Sequence, residues 1–93
     1  MAEGKFLHIA FNFYGRPAKT DELKPVFALA LDWYRYAPNC WIVYTTSDAE
    51  KWYARLKPHL HADDTMFICE LNMANRQGFL RQGAWEWMNK ERE

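Results

Sequence analysis

The sequence contains few residues that could carry out acid–base or metal chemistry, and they are scattered. His8 lies in an alternating apolar segment, and no Ser, Cys or acid is spaced to orient it as a general base. His59 and His61 flank one leucine without a third metal ligand nearby in sequence. Asp63 and Asp64 precede an apolar run, where acidic turn residues commonly bind backbone amides. We interpret these residues as a packed histidine, loop histidines and an acidic turn; the chemical alternatives are a general base at His8 and metal ligands at the other positions.

The loop after the first predicted strand combines cations with an aromatic residue. Tyr14, Arg16 and Lys19 lie within six residues that also include Gly15 and Pro17. In nucleic-acid-binding proteins such side chains contact phosphates and stack on bases. We therefore treat Tyr14, Arg16 and Lys19 as candidate nucleic-acid or partner contacts, with an ordinary connecting loop as the alternative.

A second group of cations and aromatic residues lies near the end of the sequence. Arg76 and Arg81 precede Trp85 and Trp87. Residues two apart on one helix point in different directions, so we expect that one of the two tryptophans contacts a partner. These four residues are further candidate contacts, although their spacing does not establish that they converge.

The composition indicates one small domain with many aromatic residues. The 93 residues include 12 Lys and Arg and 12 Asp and Glu, so the formal net charge is zero and the chain as a whole has no pull on nucleic acid or anionic lipid. Five Trp, five Tyr and six Phe exceed what one small core hides easily, which predicts aromatic surface at an interface. Cys40 and Cys69 lack a zinc-ligand spacing, and we expect both to be reduced and buried.

Membrane insertion and secretion are not expected from the sequence. No apolar run approaches the ~20 residues that cross a bilayer. The start of the sequence, residues 1–5, lacks the basic-then-apolar layout of a signal peptide. We therefore expect a cytoplasmic protein without membrane contacts.

Hydrophobic periodicity and turn residues predict alternating strands and helices. An apolar stripe from Leu23 extends to Tyr34 at helical spacing and must end before Pro38. Ser47 and Glu50 have the spacing of a capping box at the start of a second helix. The predicted order is a strand at 6–13, a helix from Thr20, a strand at 34–37, a strand at 40–46, a helix at 48–57, a strand at 66–71 lying inside the sheet, and a C-terminal helical extension at 79–90.

This order predicts an α+β fold. A βαββαβ succession closes most simply as a ferredoxin-like split βαβ plan, with a four-stranded antiparallel sheet and two helices on one face. Residues 1–93 then form a single ferredoxin-like domain to which the C-terminal helix is added.

Three features of this register carry a resemblance to known proteins: Phe11-Asn12 at the end of the first strand, the aromatic-rich strand 40–44, and Asp63-Asp64 before the strand at 66–71. Through these features the chain resembles the Cas-two and VapD-like superfamily of small CRISPR-associated or toxin proteins. The resemblance covers most of the chain, and its motifs are of moderate specificity. The resemblance implies a ferredoxin-like fold and a homodimer that pairs through its sheets.

The resemblance also bears on catalysis. In nuclease members an Asp at the end of the first strand, one from each subunit, holds a divalent metal. Asn12 occupies that position here and lacks the charge of a carboxylate. We therefore predict no confident catalytic residue, no resident metal and no cofactor.

Three functions follow as expectations. The first is a Cas-two-like dimeric binding or scaffolding protein, associated with RNA or DNA and without efficient nuclease activity. The second is a metal-dependent endoribonuclease or endonuclease of the toxin or CRISPR-adaptation type, in which Asn12 with Asp63 or Asp64 holds Mg²⁺. The third is a protein-interaction module that uses its Trp-rich tail.

Overall fold

The computed structural model describes residues 3–15 and 20–92, apart from the side chain of Thr20. Four strands and three α-helices follow one another in this part of the chain. In order they are β1 (Lys5–Asn12), α1 (Thr20–Phe27), β2 (Asp32–Ala37), β3 (Cys40–Thr45), α2 (Ala49–Leu56), a 3-10 turn (Lys57–His59), β4 (Thr65–Glu70) and α3 (Gln82–Asn89). None of the described helices has the length and apolar character needed to span a membrane.

The four strands form one antiparallel sheet in the order β2-β3-β1-β4. The central strand β1 pairs with both β3 and β4, which sets His8 opposite Ile42 on one side and Cys69 on the other. The predicted hairpin after α1 is confirmed by the pairing of β2 with β3. The architecture is α+β, and its strand order is compatible with the predicted ferredoxin-like plan.

One face of the sheet packs against α1 and α2. Every second residue of a strand lies on this face, so the buried positions of β1 alternate with less buried ones. In β3 three successive residues, Trp41, Ile42 and Val43, are buried. The Phe27 ring of α1 stacks on Trp41 of β3 with centroids 4.7 Å apart, and Trp52 of α2 donates its indole N–H to Thr45 Oγ1 at 3.1 Å. Each large apolar side chain buried here stabilises the fold by about 1.5–3 kcal/mol. The buried cluster comprises Leu7, Ile9, Phe11, Phe13, Leu23, Phe27, Trp41, Val43, Trp52 and Leu56.

The opposite face of the sheet packs against α3. Phe6 and Tyr34 belong to this face, since they alternate with the core residues of β1 and β2. Trp87 of α3 lies edge-on to Phe6, with centroids 5.9 Å apart, and lies 5.8 Å from the Tyr34 ring. The described sheet is therefore covered on both faces, by α1 and α2 on one side and by α3 on the other.

The end of α1 corrects one prediction. The apolar stripe predicted a helix that continues toward Tyr34, whereas α1 ends at Phe27 and β2 begins at Asp32. The amide of Leu31 already donates to the carbonyl of Tyr44 in β3, with an N···O distance of 2.9 Å. Pairing with β3 therefore outweighs the helical spacing of the apolar residues.

The start of α2 corrects a second prediction. Asp48, rather than Ser47, is the N-cap residue, and its Oδ1 accepts a hydrogen bond from the Lys51 amide at 2.9 Å. The Ser47 hydroxyl instead accepts a hydrogen bond from the Arg55 guanidinium at 3.2 Å. Glu50 lies in the first turn, where its charge favours the helix dipole without completing a capping box.

The last strand corrects a third prediction. β4 lies at the edge of the sheet rather than inside it, because only β1 pairs with it among the described strands. Cys40 and Cys69 are both free thiols, but Cys69 is exposed on β4 and Cys40 is half-buried. The prediction that both cysteines are buried is therefore wrong, since Cys40 is only partly buried and Cys69 lies exposed on an edge strand.

Candidate functional site

The residues predicted around the end of β1 are only partly within the described chain. Arg16 and Lys19 lie outside the described residues. Tyr14 is 70% exposed, and its backbone amide donates to Asp64 Oδ1 at 3.0 Å. Gly15, which follows it, has a φ of 68°, a conformation that glycine adopts without strain. A hydrogen bond between distant segments and a glycine turn thus position the Tyr14 ring toward solvent.

Asn12 and the acidic turn lie at the same end of the sheet. Asn12 is the exposed last residue of β1 and is paired with Thr65. The Asp64 carboxylate accepts hydrogen bonds from the amides of Tyr14 and His61, the latter at 2.7 Å, so it has the turn role predicted from the sequence. Across residues 3–15 and 20–92, no group of three or more His, Cys, Asp or Glu is close enough to hold a metal ion.

The structure brings two of the predicted contact residues together. Arg76 lies over the Trp85 ring of α3, with its Cζ atom 5.5 Å from the ring centroid. Its guanidinium donates to Asn89 Oδ1 at 2.5 Å, which fixes its position at the end of the same helix. Arg76 and Trp85 therefore form a cation–π pair that joins the segment after β4 to α3.

The other two predicted residues near the end of the chain lie elsewhere. Trp87 packs on the sheet, as described above, and is half-buried. Arg81 is the N-cap residue of α3 and lines a separate cleft of about 400 Å³ together with Arg35 and Tyr36. The four predicted residues do not form one surface.

Arg76 and Trp85 border an open cleft between α3, the segment after β4 and the sheet. The cleft has a volume of about 350 Å³. Its wall carries amide side chains that can donate and accept hydrogen bonds, and the residues of most chemical interest are His8, Asn72, Asn75, Arg76, Gln77 and Trp85. The cleft therefore combines the aromatic ring of Trp85, the cation of Arg76, and side chains that donate and accept hydrogen bonds.

His8 and Tyr36 lie together in the same cleft. The His8 Nε2 atom is 2.5 Å from the Tyr36 hydroxyl. Burial lowers the pKa of His8 below its usual value of 6.5. Burial also raises the pKa of Tyr36 to about 12, with added contributions from the hydrogen bond and charge of Cys40. At neutral pH the tyrosine is protonated and the histidine is neutral, and the two share a hydrogen bond.

Sequence reasoning correctly assigned His8 to packing against the sheet but missed its partner. The two residues are 28 positions apart, on strands that are separated by β3 in the sheet. His59, expected to be a solvated loop residue, likewise contacts another element, because its Nδ1 lies 2.9 Å from Glu22 Oε1 of α1. Strand pairing and helix packing create these contacts, and no local motif marks them.

The candidate site is a cleft that contains one histidine and one tyrosine in hydrogen-bond contact. Its histidine is neutral and its tyrosine holds its proton, so both act as hydrogen-bonding groups at neutral pH. No protein-family model matches the sequence, and no curated protein or solved structure matches it either.

Proposed function

We propose that this protein binds single-stranded nucleic acid as a Cas-two-like binding or scaffolding subunit, without efficient nuclease activity. The observation that carries the proposal is the position of Arg76 over Trp85 at the border of a cleft that amide side chains line. An unpaired base can enter such a cleft, whereas a base inside a duplex cannot.

The chemistry of the cleft suits an unpaired base. Stacking of a base on an aromatic side chain contributes about 1–3 kcal/mol and tolerates any sequence. Asn75 and Gln77 carry both donors and acceptors for the edge of the base. Arg76 adds positive charge where the strand would carry a phosphate.

The proposal includes a ferredoxin-like homodimer in the cytoplasm, as the resemblance and the composition suggest. The unpaired edge of β4 supports pairing with a second copy, because an edge strand presents free backbone donors and acceptors. Phe67 on this strand is 67% exposed and adds apolar surface to the contact. Antiparallel pairing of two β4 strands about a twofold axis would extend the sheet across both subunits.

Binding to oligonucleotides tests the proposal through Trp85. We expect Trp85→Ala to weaken binding of a fluorescently labelled single-stranded RNA or DNA by about tenfold or more, the loss of one stacked base. Fluorescence anisotropy at several salt concentrations measures the affinity. Arg76→Gln should also lower the salt dependence of binding, since one phosphate contact is removed.

Tyr53→Ala is the matched control for this experiment. Tyr53 is an aromatic residue of α2 that is 51% exposed and does not border the cleft. The control should bind single strands like the wild type, and both proteins should bind a duplex of the same sequence more weakly. Equal affinity of Trp85→Ala and the wild type for single strands would overturn the proposed site.

A protein-interaction module is the second candidate function. It is favoured by Phe79, which is fully exposed in the segment that leads into α3. An exposed phenylalanine at this position supplies an apolar anchor for a partner protein. If the wild-type protein binds neither single strands nor duplexes at low salt, this result would favour a protein-interaction module over nucleic-acid binding.

A further inference from the structure

Arg92 is enclosed by aromatic rings on the face of the sheet that packs against α3. Its Cζ atom lies 4.5 Å from the Trp87 ring centroid, 5.2 Å from that of Tyr44 and 5.3 Å from that of Phe6. The side chain of Arg92 is only 9% exposed. A guanidinium held against three aromatic rings is in the environment that proteins use to bind organic cations.

The same guanidinium has an acidic partner and carbonyl acceptors. One terminal nitrogen of Arg92 donates to Asp32 Oδ2 at 3.2 Å and to the Trp87 carbonyl at 2.8 Å, and the other donates to the Lys90 carbonyl at 3.0 Å. Burial would raise the pKa of Asp32, but the nearby Trp87 indole, the hydrogen bonds from the Trp33 amide and Arg92, and the charge of Lys90 hold it below its usual value. The carboxylate therefore stays ionised opposite the cation.

The aromatic walls of this enclosure also have contacts with residues other than Arg92. Phe6 and Tyr44 are directly paired across β1 and β3, and their ring centroids are 5.0 Å apart. A Cβ atom at Gly4 would overlap the Tyr44 ring, so the glycine lets the ring lie against the backbone. Trp87 is held by its own contacts with Phe6 and Tyr34. We call the site that Phe6, Tyr44, Trp87 and Asp32 form around Arg92 the aromatic cage.

The occupant, in contrast, comes from a short segment after α3. Lys90 is already extended, with φ −60° and ψ 134°, and Glu91 is exposed. Within residues 3–15 and 20–92, the buried Arg92 Nε–H group has no hydrogen-bond acceptor. Because no strand or helix of the described chain includes Arg92, the side chain can leave without breaking the sheet.

We propose that the aromatic cage is a binding site for an arginine side chain of another polypeptide, and that Arg92 occupies this site as a competing internal ligand. The site lies apart from the Trp85 cleft and goes beyond nucleic-acid binding. Its carboxylate and aromatic faces attract a cation and repel a phosphate, so the partner is a peptide or protein that presents an exposed arginine. A partner that binds must displace Arg92, and the Arg92 side chain therefore reduces the affinity of the site for that partner.

Removal of the internal ligand tests the proposal directly. We expect Arg92→Ala to bind N-acetyl-arginine amide in a saturable manner, about tenfold or more tightly than the wild type does, as measured by isothermal titration calorimetry. N-acetyl-citrulline amide, which has nearly the same shape without the charge, should not bind. Adding Asp32→Asn to Arg92→Ala should remove most of the arginine binding, because the negative charge opposite the guanidinium is lost.

Arg55→Ala provides the matched control. Arg55 also lies over a tryptophan, with its Cζ atom 4.9 Å from the Trp52 ring, but the described structure shows one ring there rather than three. Its removal should not create an arginine site. Absence of saturable binding by folded Arg92→Ala would overturn the proposal, as would equal binding by the wild type.

If Arg92→Ala is destabilised, a thermal-shift measurement can still detect whether the variant binds arginine. A ligand that binds only the folded state raises its melting temperature by an amount that grows with the ratio of ligand concentration to Kd. N-acetyl-arginine amide should therefore raise the melting temperature of Arg92→Ala, or restore its circular dichroism, while citrulline amide does not. An identical response to the two compounds would contradict the proposal.

Discussion

His8 and Tyr36 illustrate how burial affects the protonation of two titratable side chains. The phenol retains its proton because its pKa is raised to about 12, and the imidazole is neutral because its pKa is lowered. A neutral imidazole and a phenol can each donate or accept in their 2.5 Å contact. A cationic His8 could only donate to the tyrosine oxygen, and its charge would be partly removed from water.

The pH dependence of stability should reveal this histidine. A histidine with a lowered pKa in the folded state contributes stability that is present above its unfolded pKa of 6.5 and is lost as pH falls through its folded pKa. Between about pH 7.5 and about pH 5.5 we expect the melting temperature of the wild type to fall more than that of His8→Gln. Thermal unfolding followed by circular dichroism measures the difference.

Two features make the His8 comparison specific. His59 and His61 are present in both proteins, so their contribution cancels in the difference. The lowered pKa of Asp32 affects the pH dependence of stability only at more acidic pH, around and below the usual aspartate pKa of 3.8. Parallel melting curves for the two proteins across this range would show that His8 does not couple to folding as its burial implies.

Among the elements, the start of α2 offers the clearest test of a local interaction. Loss of an N-cap side chain costs about 0.5–2 kcal/mol, because one amide of the first turn loses its acceptor. We therefore expect Asp48→Ala to reduce the free energy of unfolding by about 1 kcal/mol in a urea titration. The side chain is exposed, so the fold itself should be retained.

Ser47→Ala is the control for the cap because Ser47 was the residue predicted from the sequence. Its hydroxyl binds Arg55 rather than a helix amide, so its loss should destabilise the protein less than Asp48→Ala does. If Ser47→Ala proves the more damaging change, the capping-box interpretation would be restored.

The sequence predicted most elements correctly where side-chain type and spacing agree. β1 and β3 alternate apolar residues on one face, and β3 is nearly all aromatic or β-branched, so local preference and burial favour the same structure. The boundary between α1 and β2 was wrong because Leu31 and Tyr34 continue a helical spacing while they pair with β3. Pairing between strands is a nonlocal effect that no short window of sequence contains.

The candidate site was predictable only in its components. Arg76 and Trp85 are nine positions apart, and both were identified as contact residues, yet their stacking depends on the path of the chain between β4 and α3. The aromatic cage was not predicted, because it joins residues from β1, β3 and α3 with an arginine beyond the last helix. In the sequence, only the high number of aromatic residues pointed to aromatic contacts of this kind, and it did not indicate which residues would form the cage.

At the scale of the whole molecule, the proposed pairing of two β4 strands can be tested at Phe67. If two copies pair along β4, a charge at Phe67 should break the pairing because each subunit would bring a lysine to the contact. We expect Phe67→Lys to convert a dimer to a monomer, as measured by size-exclusion chromatography with light scattering. At the same total protein concentration, the melting temperature of Phe67→Lys should be lower than that of the wild type only by the stabilisation that dimer formation provides.

Tyr53→Lys controls for the cost of placing a charge on an exposed aromatic position. Tyr53 belongs to α2, on the face of the sheet opposite α3. The Tyr53→Lys substitution should therefore leave the oligomeric state unchanged. A Phe67→Lys protein with the same mass as the wild type would exclude β4 as the dimer contact.

The central position of β1 also affects how the protein folds during synthesis. β1 is the first strand of the sheet to leave the ribosome, yet its neighbours are β3 and β4, so one of its edges remains unpaired until residue 70 emerges. Until then Leu7, Ile9 and Phe11 belong to an incomplete sheet, and exposed apolar strands of this kind favour aggregation. The nascent chain should therefore gain a stable sheet late in translation, and a chaperone that shields β1 would be most useful before β4 appears.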